Sequence, residues 1–229
     1  MNKKTLVDDG FNAQLVQNAR FDGFLEIPCI EKPDKIILPK ILVPFSKRKY
    51  VNSAEAFIVF YEHDIIFSDV LKYPQKYLEE FRKYRGIVAP DCSLYRDMPL
   101  VLQIYNVYRS RQIGHFFQTN GINVIANVRW GDERSYTTCE LPEKFAFLGA
   151  PKNSILSIGT YGCIQGKENK LYFRNGLIGM LEELRPQIVL VYGSMPSSIF
   201  RGLEDKTSFI HYPDWISLKR KKENPNGSR

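Results

Sequence analysis

Cysteine, histidine and long hydrophobic runs are scarce in this sequence of 229 residues. The cysteines are far apart and form no CxxC pair, which excludes a disulfide-rich miniprotein and favours reduced thiols at Cys29, Cys92, Cys139 and Cys163. The three histidines occur without HExxH or another local zinc-binding spacing. No run of about 18 apolar residues is present, so we expect no membrane span and no membrane partner.

A signal peptide is also not expected. Asp8 and Asp9 interrupt the short apolar stretch near the first residues, and a signal peptide would need that stretch intact. A cytoplasmic location is therefore the expectation.

The composition is that of a globular protein with a basic excess. Apolar residues make up 44% and charged residues 25%, which excludes a disordered chain or a collagen. The formal net charge is +7, and residues 32–49 and 219–229 carry more than all of it, with +5 and +4. The rest of the chain is slightly acidic, so any attraction to polyanions is expected from those two segments.

The two ends of the chain differ in character from its middle. Residues 1–50 are predicted to be an irregular extension packed on the core, because Pro28, Pro33, Pro39 and Pro44 disrupt helices and central strands. A short edge strand is predicted there at 35–38. Residues 216–229 have the composition of a basic, disordered tail.

Buried-type apolar runs alternate with helical patterns between residues 51 and 215. Strands are predicted at 56–61, 86–90, 122–128, 154–158, 187–192 and 208–211. Helices are predicted from about 74 to 84 and at 97–120, 167–184 and 197–203. This alternation predicts a single α/β domain with a mostly parallel sheet of about six βα units, either an incomplete barrel or an open doubly wound sheet.

The long helix at 97–120 is predicted to bury one apolar face. Its large apolar side chains are Val101, Leu102, Tyr105, Tyr108, Ile113 and Phe116.

Chemically active residue types follow the predicted strands. In parallel α/β folds, ligands bind at the carboxyl ends of the strands. The candidate catalytic residues there are Asp91, Asp97, Asp132 and Glu133. The candidate ligand-binding residues are Ser93, Arg96, Arg129, Trp130, Gly159, Tyr161 and Gly162.

Each residue type indicates a role. Arg96 and Arg129 are suited to holding a phosphate or carboxylate, and Trp130 and Tyr161 to stacking on a base or sugar. The acidic residues are suited to proton transfer or to binding Mg²⁺ as a cofactor. The structural alternative is that Asp97 caps the helix that follows it, while these arginines and acids only pin neighbouring loops together.

Two weaker motifs lie near the same predicted edge. The loop from Gly162 to Lys167 has one residue too few for a phosphate-binding P-loop, although a helix that follows glycines can still bind an anion. His63, Cys92 and Cys163 all fall at predicted strand ends, where a shared metal or nucleophile site is a minor alternative.

Three segments resemble the motifs of a known family. They read APDCSLYRDMP at 89–99, NVRWGDE at 127–133 and IGTYGC at 158–163. With the sequence around them they resemble the domain of unknown function 4417 family over about residues 50–212. The resemblance implies no activity, and it implies a setting in phages, plasmids and other mobile elements.

The sequence leaves three functional hypotheses. The first is an enzyme or ligand-binding domain that acts on a nucleotide, a nucleic acid or another phosphate-bearing ligand at the strand ends. The second is a non-catalytic nucleic-acid-binding accessory protein that uses residues 32–49 and 219–229. The third, an interaction protein that blocks or recruits a host factor, has no specific sequence feature.

Overall fold

Continuous apolar runs form the strands of one parallel sheet, in which both faces are covered. The computed structural model describes residues 12–223. The sheet consists of β3 (Ile41–Pro44), β4 (Ala56–Val59), β5 (Gly86–Val88), β6 (Val124–Asn127), β7 (Ile155–Gly159), β8 (Ile188–Tyr192) and β9 (Ser208–Tyr212). A separate antiparallel pair precedes it, formed by β1 (Phe21–Asp22) and β2 (Ile27–Pro28).

The strands of the large sheet lie side by side in the order in which they occur along the chain. All six neighbouring pairs are parallel. A doubly wound sheet would reverse its strand order at one point, and this sheet does not. The sheet curls into a half-barrel, so the predicted incomplete barrel is confirmed and the doubly wound alternative is wrong.

Helices cover the outer face of the half-barrel. They are α1 (Ser68–Lys72), α2 (Leu78–Phe81), α3 (Leu100–Thr119), α4 (Glu133–Tyr136), α5 (Gly166–Leu184), α6 (Ser197–Phe200) and α7 (Trp215–Glu223). The single helix predicted from Pro74 to Tyr84 is instead a 3-10 turn at Pro74–Tyr77 followed by α2. No helix between residues 12 and 223 is long and apolar enough to span a membrane.

The inner face of the half-barrel is filled by large side chains. Phe57, Val59 and Tyr61 follow one another at every second position, as the pleat of a strand requires. Near the carboxyl ends of the strands, the Tyr61 ring stacks on Tyr192 with centroids 5.1 Å apart. A side chain at Gly159 would collide with this stack, because its Cβ would lie 2.3 Å from Cδ1 of Tyr61.

The proline-rich segment before β3 is irregular, as predicted, and it packs onto the inner face. Ile36 and Ile37 contact the apolar cluster there. From the opposite edge of the sheet, the Tyr212 hydroxyl donates to the carbonyl of Pro39 over 2.7 Å. The segment therefore spans the open side of the half-barrel.

Three local predictions differ from the structure. The edge strand lies at Ile41–Pro44 rather than at 35–38, because Ile36 and Ile37 turn into the barrel instead of pairing with β4. The sheet consequently begins at residue 41, inside the predicted extension. The chain is helical through Trp215–Glu223, where a disordered tail was expected from residue 216. Residues 1–11 and 224–229 of the two predicted end segments lie outside the described residues.

The buried face of α3 is mixed: Ile113, which was predicted to be buried, and Phe117 join the apolar core, but much of the rest of the face is polar. Val101, Leu102 and Tyr105 are exposed, whereas Arg111 and His115 are buried. The face prediction was wrong for these three exposed residues, because α3 packs partly against irregular segments whose backbone carbonyls require donors. The side chains that supply hydrogen bonds or otherwise fill this buried face include Gln103, Asn106, Ser110, Arg111 and His115.

Arg111, on the buried face of α3, donates hydrogen bonds to backbone carbonyls of the segments that pack against the helix. Its guanidinium donates to the carbonyls of Leu148, Asn127 and Ala146, over 2.9, 2.6 and 3.4 Å. Burial lowers the pKa of Arg111 to about 10, so the group is still charged at neutral pH. The arginine thereby ties the end of β6 to the loop that precedes β7.

Candidate functional site

A cleft of about 190 Å³ opens at the carboxyl ends of β5, β6 and β7. The loops that follow these three strands and the first two turns of α5 line it. It is lined by Ser93, Leu94, Tyr95, Arg96, Val128, Arg129, Trp130, Gly131, Gly159, Gly162, Cys163, Asn169, Tyr172 and Phe173. Its position is the one at which barrel and half-barrel folds carry their ligands.

The structure brings six of the predicted site residues together in this lining: Ser93, Arg96, Arg129, Trp130, Gly159 and Gly162. Tyr161 lies half-exposed beside the cleft without lining it. The four predicted catalytic residues, Asp91, Asp97, Asp132 and Glu133, do not line it. The cleft therefore collects the predicted ligand-binding groups and leaves out the predicted acids.

Asp91 is a buried anchor beneath the cleft. Its Oδ1 accepts from Nε of Arg129 over 2.7 Å and from Nδ2 of Asn127 over 2.8 Å, and its Oδ2 accepts from Nη2 of Arg129. The Asp91 side chain is only 5% exposed. A carboxylate held in this way orients the arginine above it.

Arg129 combines a buried ion pair with an open side. Burial alone would lower its pKa, but the charge of Asp91 and the hydrogen bonds to Asp91 and Cys163 raise it well above the ordinary value, so the guanidinium is permanently charged. Within the described part of the chain, three of its five N–H groups are bonded to Asp91 and Cys163. The other two N–H groups have no protein partner among the described residues, and the side chain lines the cleft.

Cys163 is a cleft residue that the predicted site did not include. Nη1 of Arg129 lies 2.7 Å from its Sγ, and the thiol also contacts the Tyr161 carbonyl at 3.2 Å. Its place in the loop after β7 was the available signal, because Arg129 lies in the corresponding loop after β6. The minor alternative of a site shared with His63 and Cys92 gains no support, since no described group of three His, Cys, Asp or Glu residues is arranged to hold a metal.

A polar network supports the cleft from inside the half-barrel. The Tyr61 hydroxyl donates to Oδ1 of Asn127 over 3.1 Å and lies 2.7 Å from Oγ of Ser157. Burial raises the pKa of Tyr61 well above its ordinary value, so the phenol stays protonated. Sequence reasoning missed these residues because each lies within an apolar run, where nothing marks it as polar support for a neighbour.

Arg96 is the second cleft arginine, and its environment is different. It forms a two-pronged ion pair with Glu168, with Nη1 3.0 Å from Oε1 and Nη2 3.3 Å from Oε2. Its guanidinium also lies over the ring of Tyr172, 4.5 Å from the centroid. Both partners belong to α5, so Arg96 bridges two sides of the cleft.

Ser93 has a structural role in the cleft wall. Its N–H and hydroxyl both donate to Asp64, with the hydroxyl 2.7 Å from Oδ1, and its carbonyl accepts from Nδ2 of Asn106 over 2.6 Å. The N–H, hydroxyl and carbonyl of Ser93 are thus all hydrogen-bonded within the protein. This arrangement joins the loop after β4 to the loop after β5.

Asp132 caps a helix, the role that the structural alternative gave to Asp97. It precedes α4, accepts from the N–H of Arg134 over 3.2 Å and forms an ion pair with the Arg134 side chain. Arg134 in turn donates to the carbonyl of Arg96 over 2.5 Å. Glu133 and Asp97 are exposed. Asp97 does not cap α3, which begins after Pro99 without a side-chain cap.

Trp130 and the two glycines shape the cleft. Trp130 is 7% exposed and packs against Phe173 and Gly176 of α5, so most of its ring is unavailable for stacking on a ligand. Gly159 leaves room for the Tyr61 ring. Gly162 is exposed and has a positive φ of 76°, which allows the loop to turn into α5.

Comparison with known proteins assigns the chain to a family. Residues 19–213 match the model of a family described as Domain of unknown function (DUF4417). The chain belongs to the DUF4417 family. The three segments that resemble the family's motifs, 89–99, 127–133 and 158–163, lie at the carboxyl ends of β5, β6 and β7 and contribute to the cleft of this DUF4417 protein.

Two phage proteins are similar to this DUF4417 chain. The Gene 1 protein of Mycobacterium phage L5 is 29% identical over 173 residues, which cover 74% of this chain and 72% of that protein. The Gene 1 protein of Mycobacterium phage D29 is 30% identical over 148 residues, which cover 65% of this chain and 52% of that protein. The chain therefore spans about half the length of the D29 relative. No solved structure matches.

Proposed function

We propose that this DUF4417 protein binds a small phosphate-bearing ligand, a mononucleotide, in the cleft at the ends of β5, β6 and β7. The observation that carries the proposal is the pair of arginines, Arg96 and Arg129, which reach one cleft from two neighbouring loops. Guanidinium groups bind phosphate through two parallel hydrogen bonds. Both groups are accessible to a ligand, although each already has a protein partner.

The shape of the cleft supports a small ligand. Its volume of about 190 Å³ is below the roughly 300–1,000 Å³ typical of pockets for drug-sized molecules. Tyr95 lines it and is 54% exposed, so its ring can stack on a base or sugar. These features suit a mononucleotide better than a dinucleotide.

The proposal is for binding rather than catalysis. Asp91 is engaged by Arg129, and Asp132 is engaged by Arg134. Neither carboxylate lines the cleft, nor does Asp97 or Glu133. The acid–base and Mg²⁺ chemistry expected from these four residues therefore has no support from the lining.

Isothermal titration calorimetry tests the proposal. Adenosine and guanosine monophosphates serve as ligands, and the corresponding nucleosides serve as controls without phosphate. We expect saturable binding of at least one monophosphate, weaker binding of its nucleoside, and a loss of about tenfold in affinity in Arg96→Gln. Arg82→Gln, which removes an exposed pair with Glu79 on α2, is the matched control and should bind normally. Equal binding by Arg96→Gln and wild type, or no binding of any monophosphate at low salt, would overturn the proposal.

A nucleic-acid-binding role is the second candidate, and α7 is the observation that favours it. Lys219 and Arg220 are exposed on this helix. The other basic segment contributes less than its composition suggests, because Lys40 pairs with Glu55 and Arg48 with Glu80. Lys219→Gln/Arg220→Gln should weaken salt-dependent DNA binding, and Lys83→Gln/Arg85→Gln should leave it unchanged. Absence of DNA binding at low salt would remove this candidate.

A further inference from the structure

The two cleft arginines differ in how firmly the protein holds them. Arg129 pairs with a carboxylate that is 5% exposed, and its own side chain is 19% exposed. Arg96 pairs with Glu168, with side-chain exposures of 37% and 69%. An exposed ion pair contributes little to stability, whereas a buried pair is strongly destabilising to break. A ligand can therefore displace the partner of Arg96 far more easily than the partner of Arg129.

Glu168 occupies the positions on Arg96 that a phosphate would use. Its two oxygens face the two terminal nitrogens of the guanidinium at 3.0 and 3.3 Å. This is the two-pronged geometry in which arginine binds phosphate as well as carboxylate. Glu168 lies next to Asn169 on α5, and Asn169 lines the cleft.

We propose that Glu168 is a built-in competitor for the phosphate site, a carboxylate that holds Arg96 until an anionic ligand displaces it. The inference rests on the proposed binding function and adds its regulation. On displacement, Glu168 remains in the first turn of α5, where the helix dipole favours a negative charge. The carboxylate is thus stabilised without Arg96, and its release is not opposed by burial.

The position of Arg96 fits this exchange. The stack on Tyr172 and the Arg134 hydrogen bond to its backbone carbonyl hold Arg96 near the cleft independently of Glu168. Arg96 also lowers the pKa of the Glu168 carboxyl through its hydrogen bonds, so the competitor is ionised throughout the neutral range. The arginine therefore stays in place when the carboxylate leaves.

The test compares two charge-removing substitutions on the same helix. Glu168→Gln removes the competitor, and Glu182→Gln removes an exposed acid near the other end of α5. Adenosine and guanosine monophosphates are titrated into each variant by calorimetry. We expect Glu168→Gln to bind monophosphate about two- to fivefold more tightly than wild type and Glu182→Gln to match wild type.

A double variant separates competition from general electrostatics. In the Arg96→Gln background, Glu168→Gln should give no gain in affinity, because the group for which it competes is absent. A gain that persists there, or wild-type binding without a gain in Glu168→Gln, would overturn the competitor while leaving the proposed function standing. If neither wild type nor Glu168→Gln binds a monophosphate, the proposed function is overturned and the competitor with it.

Discussion

Arg129 donates to both carboxylate oxygens of Asp91 from one side of its guanidinium, while its remaining nitrogen lies 2.7 Å from the sulfur of Cys163. One arginine thus connects the ends of three neighbouring strands, since Asp91 follows β5, Arg129 follows β6 and Cys163 follows β7. The cleft depends on this connection because Arg129 and Cys163 both line it.

Removing the Asp91 charge should destabilise the protein strongly. Asp91→Asn leaves a largely buried guanidinium without its counterion, so we expect the free energy of unfolding to fall by about 3 kcal/mol in urea denaturation. Arg82→Gln breaks an exposed pair and should change it by less than about 1 kcal/mol. Similar losses in the two variants would show that the Asp91–Arg129 pair is not a structural anchor.

Two glycines of α5 should respond oppositely to alanine. A Cβ at Gly176 would lie 2.2 Å from Cδ1 of Trp130, whereas one at Gly179 would meet no atom closer than 3.4 Å. Alanine in a helix is favoured over glycine by up to about 1 kcal/mol. Gly179→Ala should therefore leave the melting temperature unchanged or raised, and Gly176→Ala should lower it because Trp130 must move. Equal melting temperatures would contradict the tight contact.

The four cysteines should differ in reactivity. Cys29 and Cys92 are buried, and burial raises both thiol pKa values, that of Cys92 to about 12. A thiol pKa above the working pH leaves little thiolate, so neither should react with iodoacetamide at pH 8 in the folded protein. Cys139 is exposed and Cys163 half-exposed, and both should be alkylated. Mass spectrometry before and after unfolding in guanidinium measures this, and native labelling of Cys92 would contradict its burial.

His115 should hold the first described segment onto α3. Its Nδ1 lies 3.2 Å from the Cys29 carbonyl and its Nε2 3.2 Å from the Gln17 carbonyl. His115→Phe removes both contacts, and residues 12–31 should exchange amide hydrogens faster while β7 and β8 stay protected. Thr119→Ala is the matched control, because within residues 12–223 the Thr119 hydroxyl bonds only to carbonyls of its own helix. Unchanged exchange in His115→Phe would refute the role.

The strands were predictable from sequence because their runs are long and apolar. Ala56–Val59 and Ile188–Tyr192 each lie inside a predicted strand, since burial on both faces leaves no polar residue to interrupt the pattern. Short edge strands carry less information. The prediction placed the edge strand at 35–38 instead of at Ile41–Pro44, because both stretches are rich in apolar residues and bordered by prolines.

The polar interior was not predictable in the same way. A helix that packs on a sheet buries apolar residues, but the buried Arg111 and His115 of α3 face loops whose carbonyls need donors. Sequence gives no sign of which loop a helix will meet. The cleft shows the same limit: strand ends identified Arg96, Arg129 and Asp91, but they did not show that Arg129 pairs with Asp91 or that Arg96 pairs with Glu168 of α5.

The hydrogen bond between Tyr212 and Pro39 has a consequence for synthesis on the ribosome. It joins positions separated by 173 residues, across the open side of the half-barrel. The inner apolar face therefore cannot be fully covered until residue 212 has left the exit tunnel, however early the first strands pair. Contacts between such distant positions slow folding. The nascent chain therefore exposes part of its inner apolar face, which is prone to aggregation, during most of translation.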